Sequence, residues 1–334
     1  MDALDFSQLN MAIRTEETRF LTQQQLEQML DAANYEEALD VLSDTPYSQY
    51  IQEARQTQDY EAMVEAELER CYHLILAQAP SDAMRELYAL SYDYHNIKIL
   101  FKEMVAEADF SDHYVNIGSY PIHLFRRAVK SEVKSDLSER FNIAIQGLKE
   151  RYLETADPAH IDVLIDRAYL HHLDDLMQVF EDAALKRYIQ VKIDSLQSSM
   201  VLRAIQTGQG ANHIRAILTD GGSINVEEYV RLADSNYEEA VLALQESGAF
   251  TRAEERLSLA SRDSLRAFEK ALDDTVTRDY LSEASMEVFG PLPSVAFLEA
   301  KETEVRNIRL ILTSKLNDID PALTRERMRE HYAV

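Results

Sequence analysis

The sequence repeats itself at long range. Asn34-Tyr35-Glu36-Glu37-Ala38 recurs letter for letter as Asn236-Tyr237-Glu238-Glu239-Ala240. Five letters can coincide by chance, but two further patterns recur in a fixed order. An apolar residue, an acid, a base and a small residue appear as Leu68-Glu69-Arg70-Cys71, Ile165-Asp166-Arg167-Ala168 and Phe268-Glu269-Lys270-Ala271. Each is followed by a third pattern: Asn96-Ile97-Lys98-Ile99-Leu100, a degenerate Ser195-Leu196-Gln197-Ser198-Ser199, and Asn307-Ile308-Arg309-Leu310-Ile311. Order and spacing predict three divergent modules of about 100 residues each. We place them at 1–107, 108–207 and 208–334, the last carrying a C-terminal helix, within one structural unit. Like modules either stack in a line or rotate about a common axis until they close, and periodicity alone does not choose between the two.

The modules are predicted to be helical. With 8 glycines and 7 prolines in 334 residues, the chain lacks the supply of tight turns that a sheet-rich fold needs. Thr22-x-x-Gln25 reads as a capping box, followed by Leu26, Met29 and Leu30 and then, past Asn34-Tyr35, Ala38, Leu39 and Leu42 at helical spacing. Asn225-x-x-Glu228 reads the same way, leading into Tyr229 and Leu232 and on to Ala240 and Leu244. The repeated pentapeptide therefore falls inside a helix in both copies. Val64, Leu68, Cys71 and Ile75 form one buried stripe. Breaks are expected at 117–121, 207–210, 220–223 and 289–293, where Gly, Pro and Ser gather. The fold class is all-α.

Charge narrows the partners. The chain has 34 Lys and Arg against 59 Asp and Glu, a net charge of −25. Nucleic acid and anionic lipid both demand concentrated cations, so a protein partner is favoured. Seventeen tyrosines without a tryptophan suit a core or an interface, because the basic interleaving of a base-stacking platform is absent. No stretch reaches the roughly 18 apolar residues of a spanning helix. The opening MDALDFSQLN lacks the basic and apolar regions of a secretory signal, which points to the cytoplasm. The single Cys71 excludes an intrachain disulfide and reads as a small buried side chain. None of G-x-x-x-x-G-K-[ST], G-x-G-x-x-G or G-x-S-x-G occurs, so the phosphate cradles and the nucleophile elbow are missing. His171-His172 beside Asp174-Asp175 comes nearest to a metal cluster, but adjacent histidines point about 100° apart on a helix. No second ligand pair brings them onto one face.

The run Leu9-Asn10-Met11-Ala12-Ile13-Arg14-Thr15-Glu16-Glu17-Thr18-Arg19-Phe20-Leu21-Thr22, then Asn34 to Ala38, then Leu42-Ser43-Asp44-Thr45-Pro46-Tyr47, resembles the start of the C subunits of bacterial and archaeal V-type (A/V-type) ATPases, counterparts of the eukaryotic d subunit. Tyr92 to Lys102 is similar to that family's most distinctive segment, with Glu302 to Leu316 as its echo. The resemblance spans essentially the whole chain. Ser195 departs from it, standing where the other modules carry Asn. The resemblance implies three helical modules in a pseudo-threefold, funnel-shaped arrangement. It also implies a non-catalytic rotor part that needs no cofactor and no nucleotide of its own. Its partners are the central shaft, made of the D and F subunits, and the membrane proteolipid ring. Such a part is a monomer within a larger complex, peripheral on the cytoplasmic side of the membrane, that passes torque for proton or sodium transport in hydrolysis or synthesis.

Lys98, Lys102, Arg203, Arg309 and Lys315 lie in or just after the third repeated pattern. Two readings stand side by side for them: hydrated complements of helix C-terminal partial charge, or contacts to the ring. Glu69-Arg70 reads as a salt bridge within its module. Two other functions remain as alternatives, a general helical adaptor and a helical-bundle metal enzyme built on His171 or His172.

Overall fold

The computed structural model describes residues 3–131, 135–155, 161–250 and 264–331. Among them there is no strand. The helices are α1 (Ser7–Glu17), α2 (Gln23–Asp31), α3 (Tyr35–Asp40), α4 (Ile51–Thr57) and α5 (Tyr60–Ala77). Then come α6 (Asp82–Ala106), α7 (Ile122–Lys130), α8 (Glu139–Thr155), α9 (Ile161–Val179) and α10 (Ala183–Gln206). The remainder are α11 (Ala211–Ile217), α12 (Val226–Arg231), α13 (Tyr237–Glu246), α14 (Leu265–Met286), α15 (Leu292–Leu316) and α16 (Pro321–Arg327). No helix among the described residues is long and apolar enough to cross a membrane.

Side-chain caps place the helix starts. The Thr22 hydroxyl accepts from the Gln25 N–H at 3.2 Å, and the Gln25 side chain accepts from the Thr22 N–H at 2.8 Å, the reciprocal box expected from the sequence. Asn225 caps α12 by accepting from Glu227, one residue earlier than the box spacing implies. The repeated pentapeptide is not helix interior. Asn34 and Asn236 are themselves N-caps, accepting from the N–H groups of Glu37 and Glu239 at 2.9 and 3.0 Å. Asn-x-x-Glu satisfies two orphan donors at a helix start better than it fits mid-helix, so the chain breaks there and starts again as α3 and α13.

Two compact units result. The first comprises 1–80 and 272–334, the second 81–271, so both crossings lie next to or within helices and no linker is built. In the first unit α15 is the central helix, packed on α1, α2, α3, α5 and α16, with 17 of its 25 residues buried. A helix apolar on nearly every side must be enclosed. Against it lies α5, where Val64, Leu68, Cys71 and Ile75 are buried as one stripe. In the second unit α9 packs between α6 and α10, and α7, α8, α11 and α13 cover the remaining faces.

The three longest helices, α6, α10 and α15, each carry a carboxamide that grips a returning segment, and in α6 and α10 an acid three residues earlier grips it too. In α6, Asp93 accepts from the N–H (3.0 Å) and hydroxyl (2.5 Å) of Ser119. Asn96 clamps Val115 at both backbone groups, donating to its carbonyl at 2.9 Å and accepting from its N–H at 3.0 Å. In α15, Asn307 makes the same double clamp on Arg329, at 3.0 and 2.9 Å. In α10, Asp194 accepts from Ser223, and Gln197 accepts from the Thr219 N–H at 2.8 Å. The counterpart of Asn96 is therefore Gln197. The expectation that Ser195 stands at that position is off by two residues. The longer glutamine makes half the clamp, and its buried Nε2 has no hydrogen-bond partner among the described residues. Glycine precedes the gripped serine in both loops of the second unit, because a Cβ on Gly222 would collide with the Asp194 carboxylate and one on Gly118 would lie 2.9 Å from that of Asp93.

Asn96→Ala removes two hydrogen bonds and leaves both backbone groups of Val115 short of a partner; Gln197→Ala removes one. At about 1 kcal/mol per bond, urea unfolding of the second unit should report a loss of about 2 kcal/mol for the first variant and about half that for the second. Equal losses would contradict the half-made clamp.

Candidate functional site

Each of the five cations singled out in the sequence has a partner within its own unit. Lys98 on α6 lies 3.1 Å from Asp166 and 3.5 Å from Asp162 on α9, and Lys102 lies 3.0 Å from Asp162. Arg203 on α10 meets Glu269 on α14 at 3.2 Å. Arg309 on α15 reaches Glu61 at 2.7 Å and Glu65 at 3.7 Å on α5. Lys315 donates to the carbonyls of Leu30 and Ala32 at the end of α2, where the helix dipole leaves negative partial charge. The acids Asp166 and Glu269 belong to the second repeated pattern; of their partners Lys98 lies in the third pattern and Arg203 just after it. Lys98 and Arg203 therefore reach across helices to acids of the second pattern, whereas Arg309 meets Glu61 and Glu65, which lie outside it. Arg70 pairs with Glu67 at 2.7 Å and Glu16 at 2.5 Å, so its salt bridge joins α5 to α1 and does not depend on the neighbouring Glu69.

Sequence reasoning missed the strongest charge cluster, which is buried in the first unit. Lys301 on α15 is 1% exposed, and Glu67 and Glu304 are fully enclosed. The Lys301 ammonium lies 2.7 Å from Glu304 and 3.4 Å from Glu67. It also sits over the Phe20 ring, 4.7 Å from the centroid. Glu304 accepts in addition from the Leu21 N–H at 2.6 Å and the Tyr47 hydroxyl at 2.8 Å. Burial pulls the Lys301 pKa down, but Glu304, Cys71 and Glu67 outweigh it and hold the ammonium above the ordinary lysine range. Burial pushes Glu67 up, and the bonds and charges of Arg70 and Lys301 bring it below the usual carboxylate range. Cys71, buried beside them, is pushed up to about 12 by burial, an inert thiol. The signal in the sequence was the i, i+3 spacing of Glu67 with Arg70 and of Lys301 with Glu304 on otherwise apolar helices.

In the second unit His172 points inward. Its Nε2 lies 3.2 Å from Glu86 and its Nδ1 3.3 Å from the Tyr94 hydroxyl, with the Phe141 ring centroid 4.6 Å away. Arg140 meets the same Glu86 oxygen at 3.0 Å. Both nitrogens of His172 are thus taken by protein groups, while His171 lies on the exposed side of α9. Among the described residues no group of three or more His, Cys, Asp or Glu side chains is placed to hold a metal ion. An open depression of about 610 Å³ is lined by Glu103, Met104, Glu107, Ala108, Asp109, Arg126 and Lys130. Its lining mixes acidic and basic side chains.

What this geometry supplies is cohesion: charges and carboxamides that tie long helices to one another and to their returning loops. That is the chemistry of a structural component. The chain belongs to the ATP synthase (C/AC39) subunit family, which it matches over residues 9–327. It is 26% identical to the C subunit of the V-type sodium ATPase of Enterococcus hirae, an alignment covering 98% of this chain and 99% of that one. Identity to the C subunit of the A-type ATP synthase of Methanocaldococcus jannaschii is 24%, over 96% and 85% of the two chains. To the C subunit of the V-type ATP synthase of Deinococcus radiodurans it is 25%, over 94% and 88%.

Burial pushes His172 below the ordinary histidine value of 6.5, against the pull of Glu86. The unfolded chain therefore takes up a proton that the folded chain refuses, and stability falls as pH drops below that value. The melting temperature of the wild-type chain should decline from about pH 7 to about pH 5, and less steeply in His172→Gln. His331, also pushed down by burial, keeps part of the slope in the variant. Identical slopes would place the proton uptake elsewhere.

Proposed function

We propose that the chain is a non-catalytic coupling component of a rotary, ion-translocating ATPase, seated between the central shaft of D and F subunits and the membrane proteolipid ring. The observation that carries this reading is the end-to-end match to a V-type relative, 98% of one chain against 99% of the other. The structural role fits it. A part that transmits torque must resist shear between its helices, and long helices joined by ion pairs, buried carboxylates and backbone clamps do so.

The pseudo-threefold, funnel-shaped arrangement of modules 1–107, 108–207 and 208–334 belongs to the same proposal. It draws support from the order of the ion pairs. Lys98 of the first module meets Asp162 and Asp166 of the second, Arg203 of the second meets Glu269 of the third, and Arg309 of the third meets Glu61 and Glu65 of the first. A linear stack would leave the last of these without a partner. A contact with the ring by Lys98, Lys102, Arg203, Arg309 and Lys315 also stays within the proposal. Arg203 is foremost, because its side chain keeps 64% exposure beside Glu269. The acidic surplus suits a basic face on the partner.

The test is functional. In membrane vesicles carrying the complete complex, ATP hydrolysis should drive ion uptake. A complex assembled without this chain should hydrolyse ATP and move no ions, and re-addition of the chain should restore transport. Transport that persists without the chain would contradict the proposal.

A further inference from the structure

The loop between α11 and α12 holds a reactive main-chain bond. Of the eight glycines only Gly221 follows an aspartate, and none follows an asparagine. Asp220 is exposed and lies outside any helix. Neither its carboxylate nor the Gly221 N–H has a hydrogen-bond or ion-pair partner among the described residues. A nitrogen that no side chain screens therefore sits next to an unengaged carboxyl group. The glycine is obligatory. It adopts φ +110°, and a Cβ there would lie 2.8 Å from the Cβ and Cγ of Asp174 on α9. The corresponding loop after α6, gripped in the same way at Val115 and Ser119, has Asn116-Ile117 at these positions. There a β-branched side chain crowds the nitrogen.

We propose that Asp220-Gly221 is a site of spontaneous isoaspartate formation, and that the carbon it inserts into the main chain releases the hold of Gln197 on Thr219. The Gly221 nitrogen attacks the side-chain carbonyl carbon of Asp220. A C–N bond forms, the amide proton leaves with the carboxyl oxygen as water, and a succinimide closes. Water then adds back at one of the two ring carbonyls and breaks its bond to the nitrogen. Opening at the side-chain carbonyl restores aspartate. Opening at the former main-chain carbonyl leaves Gly221 joined through Cγ of Asp220, with the old main-chain carbon as a carboxylate. No oxidant or reductant takes part, and the net charge is the same before and after.

The isoaspartyl form lengthens the chain path by one carbon, about 1.5 Å, between two held residues. Ser223 is held to Asp194 by its N–H at 2.9 and 3.0 Å and by its hydroxyl at 2.6 Å, and Ile224 adds its N–H at 3.2 Å. Thr219 is held by its N–H to Gln197 alone, at 2.8 Å. Asp174 blocks a bulge toward α9. The added length is therefore taken up at the weaker hold, and the middle copy of the carboxamide clamp opens.

The test ages the purified full chain for several weeks at neutral pH and physiological temperature. Tryptic peptides are then read by electron-transfer fragmentation, which tells isoaspartate from aspartate. Isoaspartate should accumulate in peptide 216–231 and be several-fold scarcer in peptide 103–126, which carries Asn116. Asp220→Glu keeps the charge but needs a larger, slower-closing ring, and should abolish the product. Asp220→Asn closes the same ring by expelling ammonia, which leaves more readily, and should raise it several-fold. Hydrogen exchange should show the Thr219 N–H of the isoaspartyl form exchanging at least about fivefold faster than that of the aspartyl form. A peptide 216–231 that stays free of isoaspartate in the aged chain overturns the proposal. So does isoaspartate that leaves Thr219 exchanging at its original rate.

Discussion

Lys301 is enclosed between two carboxylates, and the first unit is organised around that fact. Moving an ammonium and its partners out of water costs several kcal/mol per ion, so the arrangement persists only while every remaining lone pair and proton is satisfied. Here they are supplied from four directions. Glu304 takes the Leu21 N–H and the Tyr47 hydroxyl, Glu67 takes Arg70, and Phe20 offers its ring face. The consequence is geometric. α1, through Glu16 and Arg70, α5, α15 and the segment carrying Phe20 and Leu21 cannot shift past one another without uncovering an unpaired buried charge, an error worth about 3–5 kcal/mol.

The second unit reaches a similar end by other means. Asp93 and Asp194 are buried with no cation beside them among the described residues, and burial pushes both above the usual carboxylate range in spite of the serine groups they accept from. They hold loops rather than helices, each gripping a Gly-Ser pair on the return from its long helix. The carboxamide clamp is one device used on α6, α10 and α15, with its middle copy weakened by the change from asparagine to glutamine. That device, more than the pentapeptide, is the physical content of the internal repetition.

Much of this was legible in the sequence. The scarcity of Gly and Pro and the capping box at Thr22 announced a helical fold, and the stripe through Cys71 lies buried as its spacing required. The four predicted breaks fall between helices, except that Leu292 and Pro293 already belong to the first turn of α15. Local signals were misread where they compete. Asn34 and Asn236 stand between apolar residues at helical spacing and also offer a cap, and the cap prevailed because a helix start leaves N–H donors that their side chains satisfy. The alignment of Ser195 with Asn96 followed order and spacing, whereas Gln197 holds the position by its hydrogen bond. Partners far apart in the chain were not legible at all. Nothing near Arg309 in sequence points to Glu61, and nothing near Lys301 points to Glu67. The family resemblance supplied the expected architecture and role, and the match over residues 9–327 places the chain in that family.

On the coupling reading the molecule is a rigid mechanical connector whose internal charges hold its helices in register and whose outer surfaces meet moving partners. Reconstitution tests that most directly. The shaft pair and the detergent-solubilised proteolipid ring are mixed with and without the purified chain and resolved by size. A ternary assembly of shaft, chain and ring is expected when the chain is present, and separate shaft and ring when it is omitted. Shaft and ring that join equally well without it would contradict the connector role.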